Sequence, residues 1–382
     1  MSAPAGEAEL LARVRRRLAD DPAAATATAD LAAAVRAETG GVIGDAALLR
    51  LLRRLRGELA GAGPLDPLLR LPGVTDVVVT APDRVWLDRG AGMEPAGVSF
   101  ASDAEVRALA VRLAGACGRR LDDARPFADA HLPGGIGGAG VRVHAALSPP
   151  AAGATQLSLR VLHRARRGLA ELAAAGFAPP EAVAALRRLV AARASLLIVG
   201  GTGAGKTTLL AALLAEADPA ERILCIEDTP ELAPAHPHVV HLLTRAANVE
   251  GAGAIDRAEL LRQALRMRPD RVVVGEVRGA EVVDLLAALN TGHEGGAGTL
   301  HANGIAEAPA RLAALGALGG LDRAALEAQV AAAVRVILAV RRRGGRRELA
   351  AIGLPERSAG GLRVRPAWTA GAGPGPAWAE LP

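Results

Sequence analysis

The chain has no tyrosine, and its three phenylalanines and three tryptophans make aromatics only 2% of 382 residues. Such a surface offers little for unpaired bases to stack on, which argues against a platform for single-stranded nucleic acid. Cysteine is almost as scarce: Cys117 and Cys225 lie far apart and form no CxxC pair. A disulfide framework or a structural zinc is therefore not expected. No run of about 18 uncharged apolar residues occurs, so no membrane-spanning helix is expected. The N-terminus carries acidic residues and arginines early and lacks the apolar core of a signal peptide. These absences point to a cytoplasmic protein, free to dock peripherally at the inner face of the plasma membrane.

Lysine is the rarest basic residue. Lys206 is the only lysine among 45 Lys+Arg residues. The arginine bias reads as compositional everywhere except at this position. A compact ammonium on a flexible stem reaches phosphates in a way that a planar guanidinium fork does not. The formal net charge of +5 is small for this length, so charge alone does not imply nucleic-acid binding.

The length suffices for two or three domains with a sizeable core. Residues 1–60 read as a helical extension, with Leu10, Leu11, Val14 and Leu18 at helical spacing. Residues 61–162 read as a small α/β domain. Strands are expected at Val74–Thr80, Val85–Leu87, Val141–Leu147 and Gln156–Leu162, with a helix over 103–116. Residues 163–180 read as a linker with a short helix. From 181 to 369 strands and helices alternate, which predicts a parallel sheet with helices on both faces. The Gly/Pro-rich stretch 370–382 is expected to be a disordered tail.

Residues Gly200, Gly201, Thr202, Gly203, Ala204, Gly205, Lys206 and Thr207 fit the phosphate-loop pattern GxxxxGK[ST] in full, between an apolar strand and a helix. The pattern predicts ATP binding. Backbone N–H groups curl around the phosphates, Lys206 bridges the β- and γ-phosphates, and Thr207 offers its hydroxyl to Mg²⁺. Thr208 extends the binding stretch.

Three further segments carry chemistry. The strand Ile223–Ile226 ends in Glu227, Asp228 and Glu231, carboxylates placed to face bound nucleotide, hold Mg²⁺ or polarise water. A second strand, Val272–Val274, leads through Gly275 to Glu276. There a glycine stands where many P-loop enzymes have aspartate, so Glu276 is expected to take the Mg²⁺-side role. A glycine-rich segment carries His293 and His301, suited to sensing phosphate. His236, His238 and His241 form an HxHxxH run, but Pro237 interrupts it and no cysteine is near, so a loop entering a strand is preferred to a metal site.

Together these segments resemble the secretion (traffic) ATPases of the type II and type IV pilus systems, in which they are the Walker A, Asp, Walker B and His boxes. The stretch Asn248–Asn303 is most similar to the TadA/CpaF branch, the motors of Flp/Tad pili. The resemblance covers roughly residues 60–350, including PLDPLLRLPGVTDVVV at 64–79 and RRLDDARPFADAHLP at 119–133. It implies a RecA-like domain preceded by a smaller α/β domain, a homohexamer, and inner-membrane platform proteins as partners. It also implies that Glu231 is the catalytic glutamate, Glu276 the Walker B glutamate, and Arg142 and Arg160 the arginines that reach the γ-phosphate. Two departures affect Arg142: glycines at 134, 135, 137, 138 and 140 stretch the preceding hairpin, and His144 replaces the family's common asparagine. The alternatives are a RecA-like nucleic-acid motor, as in conjugal DNA transfer, and a nucleotide-binding regulator without turnover.

Overall fold

The computed structural model describes residues 28–40, 61–132, 140–248, 250–292 and 294–382, with positions 10, 13, 14, 17, 43, 44, 47, 48, 51 and 52. His293, the glycine-rich stretch 133–139 and much of the expected extension 1–60 lie outside these residues. Within the extension, Thr28–Glu38 (α1) is helical, and Val14, Val35, Leu48, Leu51 and Leu52 form a small buried cluster. The chain divides into two compact units, Met1–Leu162 and His163–Pro382.

In the first unit a short helix, Asp66–Leu69 (α2), precedes six strands. These are β1 (Asp76–Ala81), β2 (Arg84–Asp88), β3 (Met93–Pro95), β4 (Phe127–Leu132), β5 (Val141–Ala146) and β6 (Gln156–Val161). They form one antiparallel sheet in the order β3-β2-β1-β6-β5-β4. Strict alternation sorts the faces. Val77, Val79, Val141, Val143, Leu157 and Leu159 point into a core shared with Val106, Leu109 and Leu113 of helix Asp103–Ala116 (α3). The opposite face carries Asp76, Arg160 and Arg142, successive cross-strand partners in one row.

The second unit holds a nine-stranded sheet, ordered β15-β14-β13-β12-β7-β11-β10-β8-β9. Its parallel part comprises β7 (Leu196–Val199), β8 (Ile223–Glu227), β9 (Val239–Leu243), β10 (Arg271–Val277), β11 (Ala297–Leu300) and β12 (Val336–Arg343). Leu196 and Ile198 face one core, and Leu197 and Val199 face the other. Strands apolar on both faces need cover on both faces. Helices Leu169–Ala174 (α4), Pro180–Ala191 (α5) and Lys206–Leu214 (α6) cover one side. Helices Arg257–Ala264 (α7), Glu281–Asn290 (α8), Ala308–Leu318 (α9) and Arg323–Ala333 (α10) cover the other. The unit is a three-layer α/β/α P-loop fold of RecA type.

Three expectations need correction. The stretch 163–180 has its short helix, Leu169–Ala174, but is no free linker: Leu169, Leu172 and Phe177 are buried in the core of the second unit. Beyond β12 the sheet continues through antiparallel β13 (Arg346–Ser358) and β14 (Gly361–Thr369), which the sequence pattern did not reveal. The expected disordered tail is ordered: Gly373–Pro374 (β15) pairs with β14, Pro376–Glu380 forms a 3-10 turn, and Ala377 and Leu381 enter the core.

Candidate nucleotide site

Four adjacent parallel strands carry the sequence-predicted residues to one end of the sheet. The phosphate loop follows β7, His301 follows β11, Glu276 lies near the end of β10, and the acidic segment begins at the last residue of β8. In open α/β sheets the carboxyl ends of the strands are where ligands bind.

The phosphate loop is shaped by its glycines. Gly205 has φ +103°, a left-handed conformation that a side chain would strain. A Cβ on Gly200 would stand 2.5 Å from the Val340 carbonyl oxygen. Helix α6 starts at Lys206 with no side-chain cap. The first-turn N–H groups of Lys206, Thr207 and Thr208 therefore have no acceptor from the helix itself, the usual setting for a bound phosphate. Lys206 is 7% exposed, and its ammonium donates to the carbonyls of Gly200 (2.9 Å) and Gly201 (3.0 Å). Burial lowers its pKa, and the Glu276 carboxylate opposes that shift.

From Lys206 a line of charged groups crosses the strand ends. Its Nζ lies 3.5 Å from His301 Nδ1, and His301 Nε2 lies 2.5 Å from Glu276 Oε1. Burial and the neighbouring Lys206 lower the His301 pKa. A neutral ring fits both contacts if Nδ1 accepts from the ammonium and Nε2–H donates to the carboxylate. Glu276 also pairs with Arg278, whose guanidinium is 3.8 Å from Asp228. Asp228 in turn pairs with Arg257, which reaches Glu281 at 3.2 Å. The Glu281 carboxylate accepts the backbone N–H groups of Arg278 (2.7 Å) and Gly279 (3.1 Å), fixing the turn after β10.

Glu231 lies beside this line. Its pKa is raised, first by burial and then by the charges of Glu227 and Glu276. A half-buried carboxyl with raised basicity, near a phosphate loop, has the character of a general base.

Glu227 differs from expectation. It is buried, and its oxygens serve the protein rather than a ligand: they face the N–H groups of Glu231 and Leu232 and the His241 ring. Asp228 is likewise committed, to Arg257, Arg278 and the Thr244 hydroxyl. The HxHxxH run disperses: His236 meets the Asp218 carbonyl, His238 the Arg222 side chain, and His241 Glu227. Among the described residues no cluster of His, Cys, Asp and Glu is arranged to hold a metal ion. In the first unit, Arg142 pairs with Asp129 at 2.5 Å, and Arg160 pairs with Asp76 at 2.9 Å.

Arg257, Arg278, Glu281 and Arg347 were not apparent from the sequence, and His241 stood out only as part of the HxHxxH run. Arg347 has the one traceable signal. Gly344 and Gly345, with φ +57° and +80°, join β12 to β13 in a two-residue turn, and a Gly-Gly pair between strand-like runs is a hairpin cue. The hairpin places Arg347 Nε 3.0 Å from the Gly203 carbonyl in the phosphate loop. Beside it lies a cavity of about 220 Å³, lined by Leu172, Phe177, Thr208, Arg346 and Arg347 among others.

Comparison with known proteins identifies the family and the fold. A profile of the type II/IV secretion system protein family matches residues 58–343. A candidate conjugal transfer protein of Mycobacterium tuberculosis is 59% identical over 87% of this chain and 95% of its own length. The conjugal transfer protein TrbB of Rhizobium radiobacter is 33% identical over 78% of this chain and 88% of its own length. The structure of the pilus retraction motor PilT with bound ADP shares the fold, at TM-score 0.53 and 22% identity over 75% of this chain and 80% of that one. Among the described residues no helix is long and apolar enough to cross a membrane. The chain belongs to the type II/IV secretion system protein family.

Proposed function

We propose that this protein hydrolyses ATP in a cytoplasmic hexamer, and that the hydrolysis powers assembly of a Flp/Tad-type pilus or protein secretion through inner-membrane platform proteins. The observation that carries the reading is the pair of carboxylates, Glu231 in the loop after β8 and Glu276 near the end of neighbouring β10, at the same sheet end as a phosphate loop that holds the chain's only lysine.

The chemistry follows from these positions. Lys206 and the first-turn N–H groups of α6 bind the β- and γ-phosphates. The cavity flanked by Phe177, Thr208 and Arg346 takes the nucleoside. The Thr207 hydroxyl and the Glu276 carboxylate are hard oxygen donors of the kind Mg²⁺ prefers, and they would hold it. Bound there, Mg²⁺ would neutralise charge on the phosphates. Glu231 orients the attacking water and takes its proton. Arg142 and Arg160 are assigned to the γ-phosphate. His301 registers loss of that phosphate, a role supported by its contacts with Lys206 and Glu276. Glu231→Gln keeps the shape and removes the base, so turnover should fall about 10²-fold or more while ATP binding persists. Near wild-type turnover in that variant would refute the role.

A second reading, a motor in conjugal DNA transfer, draws support from relatives named as conjugal transfer proteins. The low aromatic content weighs against direct handling of single strands. ATP turnover stimulated several-fold by added DNA would favour it.

A further inference from the structure

We propose that Glu227, held by His241, is a positioning residue that aims Glu231 at the attacking water. The inference rests on Glu231 as general base, and concerns what places it. Glu227 is the last residue of β8 and only 4% exposed. Its Oε1 accepts two backbone hydrogen bonds, from Glu231 N–H (3.0 Å) and Leu232 N–H (2.8 Å), and so closes the 227–232 turn on itself. Its Oε2 meets His241 Nδ1 at 3.2 Å, from neighbouring strand β9. The other side of the Glu231 peptide is also fixed, because its carbonyl accepts from Ala165 N–H at 2.9 Å.

The neighbouring strand makes room for this arrangement. A Cβ on Gly275 would lie 2.9 Å from Glu227 Cγ, so the stem of Glu227 occupies the space a side chain on β10 would fill. This gives a physical reason for glycine at a position where an aspartate is common among P-loop enzymes. A carboxylate buried this deeply is kept only when its lone pairs are met. Here two of the donors belong to the turn that carries the base. Displacement of a reacting group by about 1 Å can cost 10²-fold in rate, so the cost of losing the clamp should appear in the chemical step.

The test compares Glu227→Ala, Glu227→Gln and His241→Ala for kcat, ATP KM and binding of a fluorescent ATP analogue, each alone and with Glu231→Gln. Glu227→Ala should lower kcat about 10- to 100-fold and leave KM within about twofold. Glu227→Gln, whose amide oxygen still accepts both N–H groups, should recover most of the rate. His241→Ala, at a half-exposed position outside the turn, should give a smaller loss of the same kind and serves if Glu227→Ala fails to fold. With Glu231 already glutamine there is no base left to aim, so Glu227→Ala should change the residual rate by less than about twofold. Wild-type kcat in Glu227→Ala, or an equal loss in both backgrounds, overturns the proposal while Glu231 keeps its role. Wild-type turnover in Glu231→Gln alone would remove the general base, and the positioning role with it.

Discussion

Burial and the carboxylates of Glu227 and Glu276 act on Glu231 in one direction, each disfavouring its ionised form and raising its pKa. Arg278 and the weak Thr229 contact oppose the shift without cancelling it. As the proposed base, Glu231 works ionised, so the rate should fall as pH drops through a value above the ordinary carboxyl 4.5. Glu227→Gln removes one like charge, and the acid limb of its kcat profile should move to lower pH. An unmoved limb would mean that another group sets it. The same shift has a consequence for stability. The folded state holds the Glu231 proton longer than the unfolded chain does, so the favourable contribution is present below the unfolded pKa and lost as pH rises through the folded one. At neutral pH the ionised residue is therefore a cost, and Glu231→Gln should melt about 2–4 °C higher for each ~1 kcal/mol relieved. Thermal melts at pH 7.5 read this directly, and a lower melting temperature would contradict it. Lys206 was legible from sequence because the phosphate-loop motif is contiguous. Arg257 was not: its partners Asp228 and Glu281 lie 29 and 24 residues away, and only the fold brings the three together.

Elements with strong local periodicity are where sequence and structure agree. Helix α5 buries Val183, Leu186, Leu189 and Val190 at helical spacing, and β7 is an unbroken apolar run. The antiparallel extension was hidden for the opposite reason. β13 is rich in Arg and Glu, contains Pro355, and changes register against β14 between Ile352 and Gly353, so no steady alternation marks it. Yet this hairpin bears on the site, because Arg347 donates to the phosphate-loop carbonyl of Gly203 and its stem lies 3.0 Å from where a Gly205 Cβ would be. Arg347→Ala removes that support and one cation beside the cavity. ATP KM should rise about three- to tenfold, with kcat nearly unchanged, and steady-state kinetics separate the two. A fall in kcat without a change in KM would place Arg347 in the chemical step instead. The loops after β8 and β10 are joined by Asp228–Arg257–Glu281, so Arg257→Ala should cost both stability and rate, leaving a buried Glu281 carboxylate without its guanidinium.

For the whole molecule, the question is whether one site works alone or within the proposed ring. Arg142 and Arg160 belong to the unit Met1–Leu162, whereas the phosphate loop, Glu231 and Glu276 belong to His163–Pro382. Arg142 is held by Asp129 and Arg160 by Asp76, so each guanidinium has a carboxylate that fixes its place on the sheet. In the proposed function these arginines serve the γ-phosphate, and a cation stabilises developing charge there only when it is in place. Arg142→Ala should then abolish most turnover yet leave binding of an ATP analogue to the phosphate loop intact. Coupling between subunits is read by mixing. Inactive Glu231→Gln protein and wild type are combined in equal amounts, allowed to reassemble, and assayed for ATP turnover with mass measured alongside. Independent subunits would retain half the wild-type rate. In a six-membered ring that stalls on one dead subunit, only about one assembly in sixty is fully active, so turnover should collapse far below half. A linear decline with the inactive fraction, in particles of hexamer mass, would show subunits that fire without regard to their neighbours. The same decline with monomer mass would remove the ring from the proposal.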